Sequence, residues 1–181
     1  MKKRIALIGP IAIMVVVSIY ISFSGNTVFS KADKAKNFSL PLVSSNEKLS
    51  FESLRGKVIF LNFFTTWCPG CREEIPHLEA LHNKYNSRGL AVVGVSLDDA
   101  SKEKVGEFAY KMGITYPIIM GNNKLIEDYG GVYMIPTSFL IDRSGTIKEK
   151  IIGARSTAEL ERTIFKLLIP IQKKLKVKHS S

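Results

Sequence analysis

The feature that most constrains the fold is a pair of cysteines placed directly after a nearly continuous apolar run. The run covers Lys57–Phe64 and is rich in β-prone residues, which predicts a central strand covered on both faces. A helix is expected from about Pro69 to Asn86, since proline suits a first helical position that has no N–H to leave unpaired. Cys68 and Cys71 therefore lie where a buried strand passes into a helix.

Two thiols this close can form a disulfide with each other, so the site has two redox states. A bridge across four residues stabilises a fold by only about 2 kcal/mol in the loop-closure model, which favours thiol–disulfide exchange over a structural role. Zinc would need four ligands, and only His77 and His82 lie near the pair in the sequence. We therefore predict a redox site with no metal and no cofactor.

The helix that follows suggests a role for each thiol. Cys68 would lie at the helix N-terminus, where unpaired amides and the helix dipole stabilise a thiolate. Cys71, one turn further, would be more buried and act as the resolving thiol. At 100° per residue, Glu74 falls on the same apolar arc. A buried carboxyl there would have a raised pKa and suit proton transfer with Cys71, unless it lies high enough to reach water.

The N-terminus carries a second strong signal. A basic cap, Met1–Arg4, precedes nineteen uncharged residues, Ile5–Phe23, which span about 28 Å as a helix. This pattern predicts an uncleaved signal anchor with a cytoplasmic N-terminus and the remainder translocated; a cleaved signal peptide is the alternative. The expected organisation is a transmembrane helix at 1–23, a linker at 24–36, a domain at 37–169 and a basic tail at 170–181.

The net charge of +10 is located mainly at the two ends of the chain. Three basic residues precede position 5 and five lysines follow position 165, with no acidic residue in either piece, so the body carries only about +2. Terminal basicity favours membrane orientation and anionic headgroups, and we predict no nucleic-acid partner.

Within the domain, segments with strand and helix patterns alternate. After an extended piece at 37–42 and a turn at 50–56, we expect strands at Leu90–Ser96, Tyr116–Met120, Thr137–Ile141 and Thr146–Ile152, and helices at Ser101–Met112, Lys124–Tyr129 and Thr157–Leu168. This order predicts an α/β fold with a central mixed β-sheet flanked by helices.

Several of these segments resemble the thioredoxin superfamily. The segment Trp67–Cys71 is similar to its active site, Pro76 to the proline of its kinked helix, and Ile135–Thr137 to its cis-proline loop. A closer resemblance is to the membrane-tethered TlpA/ResA/CcmG group of extracytoplasmic thiol–disulfide oxidoreductases, and it covers roughly residues 37–168. The segments that carry it are Asn37–Leu40, Leu54–Lys57, Asn62–Phe64, Cys71–Pro76, Val95–Asp98 and Ile135–Asp142.

This resemblance implies a thioredoxin-like fold and assigns roles residue by residue. Cys68 corresponds to the nucleophile and Cys71 to the resolving cysteine, with Glu74 as the active-site glutamate and Pro136 as the cis-proline. Asn62 occupies the place of a buried aspartate in cytoplasmic thioredoxins. Substrate contacts are expected from Trp67, Pro69, Gly70 and Ile135.

The implied function is a reductase of protein disulfides, such as the Cys-x-x-Cys-His haem site of apocytochromes c, that draws electrons from a membrane thiol transporter. It would work on the extracytoplasmic, periplasmic side of a bacterial cytoplasmic membrane, attached by a single span. A general extracytoplasmic disulfide reductase is the main alternative.

Two further protein classes fit less well. A peroxiredoxin would need a Pro-x-x-x-Thr-x-x-Cys motif, which does not precede Cys68. A Cu(I)-delivery protein of the Sco kind would need one more residue between the cysteines and a histidine near Pro136, whereas His179 lies in the tail. Two thiolates nevertheless suit Cu(I).

Overall fold

The computed structural model describes residues 33–169, and every structural statement below concerns these residues. The expected membrane span at 1–23, most of the linker and the basic tail at 170–181 lie outside them. Within the described part, no helix is both long and apolar enough to cross a membrane.

Seven strands, four α-helices and two short 3₁₀ turns make up the described domain. The strands are β1 (Ser39–Pro41), β2 (Lys48–Ser50), β3 (Val58–Phe64), β4 (Leu90–Ser96), β5 (Ile118–Met120), β6 (Thr137–Ile141) and β7 (Ile147–Ile152). The helices are α1 (Pro69–Tyr85), α2 (Lys102–Lys111), α3 (Asn123–Asp128) and α4 (Thr157–Leu168), and the 3₁₀ turns are Glu52–Leu54 and Asn86–Arg88.

The main sheet has five strands in the order β5-β4-β3-β6-β7. β3 runs parallel to β4, which runs parallel to β5. On the other side of β3, β6 pairs antiparallel with β3, and β7 pairs antiparallel with β6. The mixed sheet was therefore predicted correctly. Because β3 is central, its carboxyl end delivers the active-site loop to the middle of the sheet edge.

Side chains of β3 alternate between two apolar layers, as the period of a strand requires. Phe60 and Phe64 face α1 and α4, where they pack with Leu78, Leu81 and Ile164. The odd-numbered positions of β3 face the second layer, which also contains Phe51, Leu125, Tyr129 and Phe139. Both faces are covered, so all seven positions of β3 are buried and the apolar run of the sequence is explained.

The predicted elements agree with the structure to within one or two residues at their ends, and β4, β6 and α4 match at both ends. The main omission is β2, which pairs with β1 as an antiparallel hairpin. Three residues, Lys48–Ser50, are too few and too polar to show a strand period. A bridge between Leu42 and Ile119 attaches this hairpin to the edge strand β5.

Candidate active site

Both cysteines lie at the junction of β3 and α1, and both are free thiols. Cys68 is the N-cap of α1 in an extended backbone conformation, and Pro69 takes the first helical position as predicted. The Cys71 backbone N–H donates to Cys68 Sγ over 3.2 Å. A sulfur that accepts an N–H at a helix N-terminus lies where negative charge is stabilised.

The loop between β3 and the cysteines is held by one carboxylate. Asp98 follows β4 and accepts from the N–H of Thr66, at 3.0 Å, and from its hydroxyl, at 2.7 Å. The Ser96 hydroxyl donates to the same carboxylate at 2.8 Å. Arg72, in the first turn of α1, donates to the Thr66 carbonyl at 2.7 Å. The residues before Cys68 are therefore tied to both β4 and α1.

The Ile135–Pro136 segment faces the first cysteine across the site. The peptide bond between these residues is cis, as the resemblance implied. The Cys68 thiol lies 3.8 Å from the Ile135 carbonyl oxygen, to which it donates. A Cβ built on Gly70 would lie 3.6 Å from Pro136 Cδ, so the first turn of α1 packs closely against this proline. Residues 67 positions apart are thus brought together at one thiol.

Cys71 is the less accessible of the two thiols, with 2% of its surface exposed against 6% for Cys68. Burial raises the pKa of the Cys71 thiol to about 12, assisted by its contact with Cys68 and by the charges of Cys68 and Glu74, while a hydrogen bond from the Thr65 backbone acts in the opposite direction. Cys71 therefore needs a proton acceptor if it is to attack at neutral pH.

Glu74 is buried one turn after Cys71, with 1% of its surface exposed. Its placement on the apolar face of α1 was predicted, and the alternative that it reaches water is wrong. Burial raises the pKa of Glu74 to about 7, against opposing hydrogen bonds from the Arg155 N–H and the Asn62 amide and the positive charge of Arg155. A carboxyl that titrates near neutral pH can exchange protons with a neighbouring thiol.

The four expected substrate contacts surround Cys68 and Pro136 with different exposure. Trp67 is 69% exposed and Pro69 is also exposed, whereas Gly70 and Ile135 are half-buried. Tyr133 and Met134, which sequence reasoning did not single out, directly precede Ile135 and are 89% and 63% exposed. Two large apolar residues beside the Ile-Pro pair were the available signal.

The two histidines considered as zinc ligands have other neighbours. His77 Nδ1 lies 2.9 Å from the Thr157 hydroxyl. The His82 ring packs edge-on against Tyr116, with 6.0 Å between ring centroids. Within residues 33–169, no group of three or more His, Cys, Asp or Glu side chains is arranged to hold a metal ion.

Comparison with known proteins identifies the family of this chain. Residues 32–150 match the model of the AhpC/TSA family. The thiol-disulfide oxidoreductase ResA of Bacillus thuringiensis (strain Al Hakam) is 34% identical over 121 residues, which are 67% of this chain and 69% of that protein. The protein of the same name from Geobacillus kaustophilus (strain HTA426) is 31% identical over 169 residues, which are 90% of this chain and 96% of that protein.

A solved structure extends the agreement to the fold. The crystal structure of a thiol:disulfide interchange protein of the thioredoxin family from Chlorobium tepidum TLS aligns with a TM-score of 0.71 and 36% identity, covering 77% of this chain and 99% of that one. The matched family region contains both cysteines, and the structure places them together where β3 passes into α1. The chain therefore belongs to the AhpC/TSA family, has a thioredoxin-like fold, and is a thiol–disulfide oxidoreductase of the ResA type that carries the Cys68/Cys71 pair.

Proposed function

We propose that this enzyme is a membrane-tethered, extracytoplasmic reductase of protein disulfides, with Cys68 as nucleophile, Cys71 as resolving thiol and Glu74 as their proton acceptor. The observation that carries the proposal is the buried carboxyl of Glu74 behind Cys71, while Cys68 faces the Ile135 carbonyl at 3.8 Å. This arrangement gives the two thiols different environments, as a two-step exchange requires.

The reaction proceeds through a mixed disulfide. The Cys68 thiolate attacks one sulfur of the substrate disulfide; a bond from Cys68 to that sulfur forms, the substrate S–S bond breaks, and the released sulfur takes up a proton. The Cys71 thiolate then attacks Cys68 Sγ, which forms the Cys68–Cys71 disulfide and releases the second substrate thiol. Two electrons and two protons pass from the enzyme to the substrate.

Glu74 assists the second step. Once Cys68 is bonded to the substrate, it has no free thiol or charge to raise the pKa of Cys71, so burial and the negative charge of Glu74 remain as causes. Transfer of the Cys71 proton to Glu74 removes that negative charge. Because this transfer neutralises Glu74, the new Cys71 thiolate does not lie beside a second negative charge.

Variants of the three residues separate their roles in reduction of a model disulfide. Cys68→Ser is expected to abolish turnover, whereas Cys71→Ser should accumulate the mixed disulfide. Glu74→Gln should slow exchange and remove the inflection of its pH profile near 7, where the carboxyl titrates. Undiminished activity of the Cys68→Ser variant would refute the assignment of the nucleophile, and an unchanged pH profile of Glu74→Gln would refute that of the acceptor.

An exposed apolar surface supports a protein as the substrate. Trp67 precedes Cys68, and Tyr133 and Met134 precede Ile135; we call these three exposed side chains the apolar rim. Exposed apolar side chains beside a reactive group are typical of sites that receive another chain. The half-buried Ile135 backbone would pair with an extended substrate segment, as in strand addition.

Binding of a protein substrate by the apolar rim is tested by comparing the reduction of a protein disulfide with that of a small-molecule disulfide. Met134→Ser should raise KM for reduction of a folded protein disulfide and leave reduction of oxidised glutathione unchanged. Tyr110→Ser is a suitable control, because Tyr110 is 88% exposed on α2 and belongs to a different element. Equal effects of Met134→Ser on both substrates would show that the rim does not bind the protein partner.

The substrate and electron donor follow from the resemblance to the ResA type. We propose the Cys-x-x-Cys-His site of an apocytochrome c as substrate and a membrane thiol transporter as donor. The Cys71→Ser variant, expressed in cells, should hold the substrate as a mixed disulfide that can be isolated and identified. Capture of apocytochrome c is the expected result, and capture of many unrelated proteins would favour a general disulfide reductase instead.

The proposed location on the extracytoplasmic side of the membrane depends on residues 1–23. Their basic cap and nineteen uncharged residues support a single span with the domain on the extracytoplasmic side. The intact protein should remain with membranes after a carbonate wash. A mature N-terminus that begins after Phe23 would show that the segment is a cleaved signal peptide.

A further inference from the structure

Asn62 lies at the centre of a buried polar network that connects the sheet to Glu74. It occupies the middle of β3, directly opposite Ser138 of β6, and is 2% exposed. Its side-chain Nδ2 donates to the Ser138 hydroxyl at 2.8 Å and to Glu74 Oε2 at 3.0 Å. One amide group thus fixes the carboxyl of α1 against two strands of the sheet.

The second oxygen of Glu74 is held from another direction. The backbone N–H of Arg155, in the loop between β7 and α4, donates to Glu74 Oε1 at 3.1 Å. Among residues 33–169, these two N–H groups are the hydrogen-bond partners of the carboxyl, and neither can accept a proton. The surroundings therefore favour the ionised form, although burial opposes it.

The charged and titratable groups around Glu74 come from three elements. Cys71 lies on the same helix, Arg155 contributes a positive charge from the β7–α4 loop, and Tyr116, just before β5, feels the charge of Glu74. Asn62 approaches from β3 and is neutral at every pH. It can donate to Glu74 without adding a charge that would itself titrate.

We propose that Asn62 is the positioning residue of Glu74, and that its neutral amide sets the pH at which Glu74 accepts the proton of Cys71. A carboxylate in place of this amide would lie about 3 Å from Glu74, and two carboxylates that close retain one proton between them. An apolar residue would leave Glu74 Oε2 buried without a donor, which also favours the protonated form. Both changes lower the fraction of Glu74 that is ionised, and so able to accept a proton, at neutral pH.

The inference rests on the role of Glu74 proposed above, and its test uses two readouts in the full-length protein. The first is direct titration of the Glu74 carboxyl by ¹³C NMR, assigned by its absence in Glu74→Gln. The second is the pH profile of a single turnover with a model disulfide, followed through the fluorescence of Trp67, the only tryptophan of the chain.

Asn62→Leu and Asn62→Asp should both raise the midpoint of each profile. A hydrogen bond to a charged group is strong enough to change the ratio of ionised to protonated carboxyl by about tenfold, so a shift of about one pH unit is expected. Asn83→Leu is the matched control, since Asn83 donates to a different carboxyl, Glu79, on the exposed side of α1 at 3.0 Å. It should leave both midpoints in place.

A double variant distinguishes positioning from a general loss of structure. In the Glu74→Gln background, Asn62→Leu should produce no further change in the pH profile of turnover, because the group that it positions is absent. A further shift in that background would overturn the inference. Asn62→Ala, which removes the amide donor without adding a titratable group, provides the same comparison if Asn62→Leu does not fold.

The two proposals fail in different ways. If Glu74→Gln has an unchanged pH profile, Glu74 is not the acceptor, and the carboxyl titration still reports whether Asn62 controls its ionisation. If Glu74→Gln removes the inflection but both Asn62 variants titrate like the unmodified protein, the positioning role of Asn62 alone is refuted.

Discussion

The burial of Glu74 has a consequence for stability that can be measured without any substrate. Its pKa is raised from 4.5 to about 7 in the folded protein, mainly by burial. Between these two pH values the folded state holds a proton that the unfolded state has lost, so stability falls as the pH rises. At 1.36 kcal/mol per pKa unit, the loss amounts to about 3 kcal/mol. The stabilising contribution is complete below pH 4.5 and absent above pH 7.

Glu74→Gln removes this titration. We expect the free energy of unfolding of the unmodified protein, minus that of the variant, to fall by about 3 kcal/mol between pH 4.5 and 8. Urea unfolding of both reduced proteins at intervals across this range provides the measurement. The glutamine side chain cannot accept both hydrogen bonds, from Asn62 and from Arg155, but that cost is the same at every pH and alters only the offset.

The neighbouring residue offers a control on the same helix. Glu73 is exposed, so the difference in the free energy of unfolding between the unmodified protein and Glu73→Gln should vary far less across the same pH range. The reasoning would be refuted if the difference in the free energy of unfolding between the unmodified protein and Glu74→Gln stays constant from pH 4.5 to 8. A constant difference would mean that the pKa of Glu74 is not raised by folding, and the carboxyl would then not be the acceptor described above.

Two further predictions concern the supports of the site and of the sheet. Asp98→Ala should lower the free energy of unfolding by about 1–3 kcal/mol and slow thiol–disulfide exchange, because the Thr66 N–H and hydroxyl lose their acceptor. Asp99→Ala is the control and should exchange at the unmodified rate; the same rate in Asp98→Ala would contradict the prediction. The Asp142 carboxylate accepts hydrogen bonds from Ser144 and Thr146 and pairs with Lys148. Partial burial raises the pKa of Asp142, but these contacts outweigh it and lower the pKa to about 2. Stability from Asp142 is therefore present above pH 3.8 and lost as the pH falls towards 2, and Asp142→Asn should flatten acid unfolding curves in that window; parallel curves would count against it.

The sequence alone determined the parts of this protein that depend on local spacing. The apolar run before Cys68 predicted a buried central strand, Pro69 predicted the helix start, and the helical period placed Glu74 on the same inner face as Cys71. These predictions were correct because strand and helix periods are set by backbone geometry and are visible within a few residues.

The tertiary structure decided the contacts between residues that are distant in the chain. The pairing of β3 with β4 brings Asp98 to Thr66, and the pairing of β3 with β6 brings the Pro136 segment to Cys68. The packing of α1 on the sheet brings Glu74 to Asn62. The small polar strand β2 likewise had no local signal. Periodicity shows which face of a helix or strand is apolar. How whole elements pack decides which element covers that face and which donor reaches a carboxyl buried there.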